Sequence, residues 1–169
     1  MIASAHVMAG LVSGVAALPA RAAGAKVAVA FGLGVLTHVV LDAIPHSDYG
    51  SLPVSMLLVS VAIEITATLT LAWFVLRSRR RPGLAVALPA GLAGAMIPDA
   101  KFGRYFLPEQ MGSWIHHVGD RFHAPFHAAP TTVAVGLTFE IVCTLVLFGV
   151  LLMLVRRQDR LHTSAVEQA

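Results

Sequence analysis

The sequence predicts an all-α fold, a polytopic membrane helix bundle of about five transmembrane helices with a loop on the outer face. The first observation behind this is composition: 57% of the 169 residues are hydrophobic and 12% charged, with a mean hydropathy of +0.77, whereas a soluble domain carries about a quarter charged residues. The second is a series of apolar runs long enough to be read as spans, since a hydrocarbon core of about 30 Å takes about 20 residues at 1.5 Å each. The third is the placement of charge. A net charge of +3 would suggest nucleic acid in a soluble chain, but here the basic residues gather at the ends of apolar runs, where they set topology, and no nucleic-acid partner is expected.

The runs divide the chain into spans over residues 2–18, 27–44, 52–76, 84–97 and 131–155, an outer interfacial loop over 98–130 and a polar tail over 161–169, with residues 1–160 forming one transmembrane domain. The second span ends at Pro45, which cannot continue a helix. The third is followed by Arg77, Arg79, Arg80 and Arg81 and the fifth by Arg156, Arg157 and Arg160. The fourth is short and carries Pro89, so a re-entrant or thinned segment is the alternative there. The loop holds Phe102, Tyr105, Phe106, Trp114, Phe122 and Phe126, rings that favour the headgroup level.

Alternating five spans puts Arg21, Lys26, the four arginines after span three and the three after span five on one side, leaving Lys101, Arg104 and Arg121 on the other. The positive-inside rule then predicts an outward N-terminus and a cytoplasmic C-terminus in a multi-pass inner-membrane protein. Each span also carries small or polar residues at every fourth position: His6, Gly10, Gly14; Ala30, Gly34, His38, Asp42; Ser60, Glu64, Thr68; Gly91, Ala95, Asp99; and Thr132, Gly136, Glu140, Thr144. Small residues at that spacing let helix backbones approach in lipid, so these stripes are expected to face protein.

Three stripes end in ionisable residues at the outer side, at His6, Asp42 and Asp99. His38 and Asp42, four apart, project from one helix face; His46 and Asp48 follow in a Pro/Ser/Gly turn. His6, Asp99 and the loop histidines His116, His117, His123 and His127 fall on the same side. With Cys143 as the only cysteine and buried in an apolar run, any metal must be held by imidazole and carboxylate. That donor set suits zinc, manganese or iron. Carboxylates as deep as Glu64 and Glu140 are either hydrogen-bonded between helices or functional, as partners of the histidines or as a proton path.

An N-terminal His-x3-Gly (His6 to Gly10), a span ending His-x3-Asp-x2-Pro-His-x-Asp (His38 to Asp48) and a later Ile97-Pro98-Asp99 resemble the membrane-bound metal-dependent hydrolases, a bacterial inner-membrane family of predicted hydrolases. The His-x3-Asp and Pro-His pieces are also similar to the ligand helices of zinc-dependent phospholipase C. The likeness covers mainly residues 3–14, 34–50 and 91–100. The family's Pro-Asp-x-Asp-His and His-Arg-x-x-Thr-His-Ser are replaced here by Pro98-Asp99-Ala100-Lys101 and His123-Ala124-Pro125-Phe126-His127. The resemblance implies a divalent metal, zinc or manganese, held by His6, His38, Asp42, His46 and Asp99, to which the His123-x3-His127 spacing adds His127 as a further ligand. It implies Asp48 or His123 as catalytic base, and an ester or phosphoester of a lipid-like substrate at the outer face. The alternatives are a divalent-ion or proton-coupled carrier using Glu64 and Glu140, and a structural membrane protein. No oligomeric state follows from the sequence.

The topology has a direct test. A reporter fused after Gln168 should report the cytoplasm and one inserted between Gly103 and Gly112 the outside. The reverse pair of signals would remove the outer-face assignment.

Overall fold

The computed structural model describes residues 3–44, 54–76, 83–98, 117, 121 and 132–167. Among them are five helices and no strand: α1 (Ala3–Ala16), α2 (Ala23–Asp42), α3 (Val54–Leu76), α4 (Leu84–Met96) and α5 (Val133–Glu167). The all-helical fold is as expected. Two helices are long and apolar enough to cross a membrane, α2 over Ala23–Asp42 and α5 over Val135–Leu161. The expected five full spans are corrected on this point. α1 and α4 have 14 and 13 residues, about 20 Å of helix each, which falls short of a 30 Å core.

Helix α1 sits in the middle and packs against each of the other four. Its sequence, ASAHVMAGLVSGVA, is apolar or small on every side, the pattern of a helix with no solvent face, and every residue from Ala5 to Leu11 is buried. Val7, Met8, Leu11 and Val15 of α1 join Ala30 of α2, Ala72 and Leu76 of α3, Ala87 of α4 and Leu151 and Val155 of α5 in one apolar core.

The spacing-four stripes do face inward. His6, Gly10 and Gly14; Ala30, Gly34, His38 and Asp42; Gly91 and Ala95; and Gly136 and Glu140 are all buried, as is Thr68, whereas Glu64 and Thr144 are half-buried and Thr132 is exposed. Their partner, however, is chiefly α4. A Cβ on Gly10 would lie 2.8 Å from Leu92 Cα, one on Gly14 2.8 Å from Leu88 Cα, and one on Gly34 2.5 Å from the Gly91 carbonyl oxygen. A Cβ on Gly91 would strike the Gly10 carbonyl oxygen, and one on Gly94 that of Phe31. Thus α1 and α2 each lie backbone-to-backbone on α4, which is why a helix of only 13 residues is held so firmly.

These contacts also fix direction. Gly10 meets Leu92 and Gly14 meets Leu88, so α1 and α4 run antiparallel. His6 meets Asp42, so α1 and α2 are antiparallel as well. At the other end Lys26 closes the bundle. Its ammonium donates to the carbonyls of Leu18, at 2.7 Å, and Ala20, a favourable position for a cation just past a helix C-terminus, while its stem lies over Gly83. Gly83 has φ +86, a conformation glycine adopts without strain.

Substitutions separate packing glycines from bystanders. Gly34→Ala and Gly91→Ala each force backbone apart and should cost about 1–3 kcal/mol, seen as a lower unfolding midpoint in detergent. Nothing lies within 4 Å of a Cβ on Gly32 or Gly149, so Ala there should be neutral or stabilising because it favours helix. Equal midpoints across the four variants would contradict the close approach.

Candidate metal centre

Three helices meet at the end of the bundle that carries the first turn of α1 and the last turn of α2. His38 and Asp42 stand one turn apart on α2, and His6 projects between them from α1. His38 Nε2 lies 2.9 Å from Asp42 Oδ2 and His6 Nε2 lies 3.3 Å from Asp42 Oδ1, so the carboxylate spans both rings. The rings themselves are 4.3 Å apart between centroids, tilted by 51°. Both histidines are 0% exposed and Asp42 3%. One donor atom from each of His6, His38 and Asp42 can be chosen so that all lie within 4.8 Å of one another.

Helix α4 supplies the fourth element. The Ala95 carbonyl oxygen lies 2.7 Å from His38 Nδ1, and because a carbonyl only accepts, Nδ1 carries the hydrogen and donates. In a neutral imidazole this leaves a lone pair on Nε2, facing a carboxylate oxygen at 2.9 Å. Two acceptors at that distance repel unless something positive lies between them. Either the His38–Asp42 pair holds a further proton or a cation sits there, and a ring whose far N–H is anchored on a backbone carbonyl is the arrangement that orients a metal-ligating histidine.

The donor set fits a divalent ion. Two imidazole nitrogens and one carboxylate are a common three-ligand set for catalytic zinc, which leaves a coordination position open; manganese and iron accept the same donors. With bonds of 2.0–2.1 Å, neighbouring donors of a tetrahedral ion are about 3.3 Å apart; the His6–Asp42 separation is 3.3 Å, the His38–Asp42 separation, to the other carboxylate oxygen, is shorter at 2.9 Å, and the three donors lie within 4.8 Å of one another.

Of the residues singled out from sequence, the structure therefore brings together His6, His38 and Asp42. His46, Asp48, Asp99, His116, His123 and His127 lie outside the described residues, while His117 is exposed. Glu140 is 4% exposed and accepts a 3.0 Å hydrogen bond from Ser4 Oγ across the α1–α5 contact, the interhelical role that was one of its two expected uses. Glu64, half-buried on α3, is four residues before buried Thr68. Two contributors escaped the sequence reading. Ala95 acts through a backbone oxygen, for which no side chain gives a sign, and Ser4 is one small hydroxyl in an apolar run; the only hint of either was the position of Ala95 on the α4 stripe.

Comparison of the chain with protein-family models, curated proteins and solved structures finds no match.

Removing the charge of Asp42 should expose the cation requirement. Asp42→Asn keeps the shape, and bound zinc or manganese in purified protein should fall well below the wild-type ratio, while His162→Ala on α5 should leave it unchanged. Binding to wild type should also weaken toward acid pH, because histidine and carboxylate ligands must lose their protons to coordinate. Undiminished metal in Asp42→Asn would remove this residue from the site.

Proposed function

We propose that the chain is a membrane-bound metal-dependent hydrolase that cleaves an ester or phosphoester of a lipid-like substrate at the outer membrane face. The observation that carries this reading is the buried His6–His38–Asp42 group with His38 anchored on Ala95. A divalent ion bound by these residues, zinc or manganese, supplies Lewis acidity and activates water near neutral pH. The chain's own part is to hold the donors. Ala95 fixes the ring and tautomer of His38, Asp42 balances the positive charge, and His6 completes the set from the neighbouring helix.

Further ligands are within reach of the chain. His46 follows Asp42, and Asp99 follows Ala95, by four residues, so whatever path the backbone takes each Cα stays within about 14 Å of that anchor. Asp48 or His123 is the base in this reading, with His127 a further ligand.

The membrane setting rests on the two helices of spanning length and on their outward surfaces. Val29, Leu36 and Val40 of α2 and Ile141, Leu145, Val146 and Met153 of α5 are exposed, an apolar extent that a water-soluble monomer seldom shows. Membrane lipid is the natural partner of those faces. We extend this to a multi-pass inner-membrane topology with a cytoplasmic C-terminus, in which α1, α3 and α4 are embedded between α2 and α5. The carrier alternative draws no support from the packing below the site. Met8, Leu11 and Val15 of α1 lie against Ala72 and Leu76 of α3 in one apolar cluster, and ions cross such a seal at great cost.

The test pairs metal analysis with hydrolysis. Purified protein loaded with zinc or manganese should cleave a fluorogenic phosphodiester or a short-chain phospholipid in mixed micelles, and His38→Ala should lose both metal and activity. Protein that takes up no zinc, manganese or iron on reconstitution sinks the reading outright. Protein that binds metal but cleaves neither carboxylic nor phosphoric esters retains the metal centre and loses the hydrolase.

A further inference from the structure

His6 occupies the weakest place in its helix. It is the fourth described residue of α1, near the helix end, and helix ends fray. His38, by comparison, lies inside α2 and is tied to Ala95. Yet His6 is as fully buried as His38. The first turn of α1 is also held by α5. Ser4 Oγ donates to Glu140 Oε1 at 3.0 Å and lies 3.0 Å from Thr144 Oγ1. Since Ser4 has a single hydroxyl proton, Thr144 is the donor in the second contact. One turn and two turns further along α5, Cys143 and Leu147 pack against the cluster formed by Ala5 and Ala9 of α1 with Leu41 of α2, so the hydrogen bonds supply directional contacts at the end of an otherwise apolar interface.

We propose that Glu140 is a positioning residue for His6, acting through Ser4 to hold the first turn of α1 against α5 so that the His6 ring stays against Asp42. The inference rests on the reading of His6 as a metal ligand. Its structural half, the immobilised turn, stands on its own, and the experiment separates the two. Glu140 touches neither metal nor substrate. It acts by geometry, and the property required is an oxygen acceptor at the position of Oε1, so glutamine serves and a hydrocarbon does not.

The experiment is histidine labelling by diethyl pyrocarbonate in metal-free protein in detergent, read residue by residue by mass spectrometry, beside zinc titration of the same proteins. In Glu140→Leu and in Ser4→Ala, His6 should be labelled faster by on the order of threefold to tenfold, the factor set by the net worth of an interhelical hydrogen bond, while His38 keeps its wild-type rate. Zinc affinity should fall about 10–100-fold, as for loss of other groups that orient a ligand. Glu140→Gln should restore wild-type labelling and binding. Equal acceleration at His6 and His38 would mean general loosening of the bundle and would overturn the proposal, as would unchanged His6 labelling in Glu140→Leu or failure of Glu140→Gln to restore it. Selective His6 labelling in a protein whose wild type takes up no zinc would refute the ligand role and, with it, the proposal's functional half, while leaving the pinned turn established.

Discussion

The structure depends on how closely three backbones come together at Gly91. A Cβ on Gly34 would lie 2.5 Å from the Gly91 carbonyl oxygen, and a Cβ on Gly91 would strike that of Gly10. In lipid there is no hydrophobic force to drive helices together, so close van der Waals contact and interhelical hydrogen bonds carry the association. Gly10 and Gly34 thus both dock on one turn of α4. That turn ends at Ala95, whose carbonyl meets His38, and four residues before Gly10 stands His6. The ligand group is therefore a by-product of the glycine contact: once α1 and α2 are seated on α4, their His6, His38 and Asp42 side chains have no other place to go.

What the contact makes costly is the charge it encloses. Burying a carboxylate carries a penalty of several kcal/mol even after relaxation, and Asp42 is buried against two rings, one of which, His38, gives its Nδ1 hydrogen to Ala95. A buried polar group of this kind is tolerated only if fully partnered, and removal of one member leaves the rest worse off than an apolar replacement of all. The centre is thus not a stabilising device in the way the glycine contacts are, and packing supplies the rigidity that lets it persist. The same bundle shows the cheaper alternative in Glu140, which is placed between α5 and α1 and met by a hydroxyl at 3.0 Å.

Much of this was legible in the sequence because it is written in side-chain periodicity. The every-fourth-residue stripes anticipated which faces turn inward, down to Ala30, Gly34, His38 and Asp42 being buried together, and the i, i+4 pairing of His38 with Asp42 anticipated half of the centre. Three things were not legible. The partner of each stripe was not, since Gly10 and Gly34 match any surface that lacks side chains, and α4 rather than the α1–α2 pair turned out to be common to both. The number of full spans was read too generously: α1 and α4 end at Ala16 and Met96, within two residues of the expected limits, but at 14 and 13 residues they are too short to cross. The tautomer of His38 was hidden as well, since its determinant is a carbonyl oxygen that every residue possesses.

The order of these dependencies bears on how such a site is built. His38 and Asp42 share a helix, so their mutual position follows from α-helical geometry alone. His6 comes from a different helix and must be placed by tertiary contacts on two sides: α4 through Gly10, one turn below, and α5 through Ser4, two residues before. A rotation of α1 about its axis by one residue, 100°, would carry His6 away from Asp42 and bring Ala5 or Val7 to the rings, leaving an aliphatic side chain against a buried carboxylate. The glycine face opposes such a turn, since it would bring a side chain to where a Cβ on Gly10 would already lie 2.8 Å from Leu92 Cα and one on Gly14 2.8 Å from Leu88 Cα. Beyond Gly10, toward the start of α1, the directional contacts include the His6–Asp42 contact and the Ser4–Glu140 hydrogen bond. The backbone contact sets the rotation of α1, and these few polar atoms complete the setting of the end that carries His6.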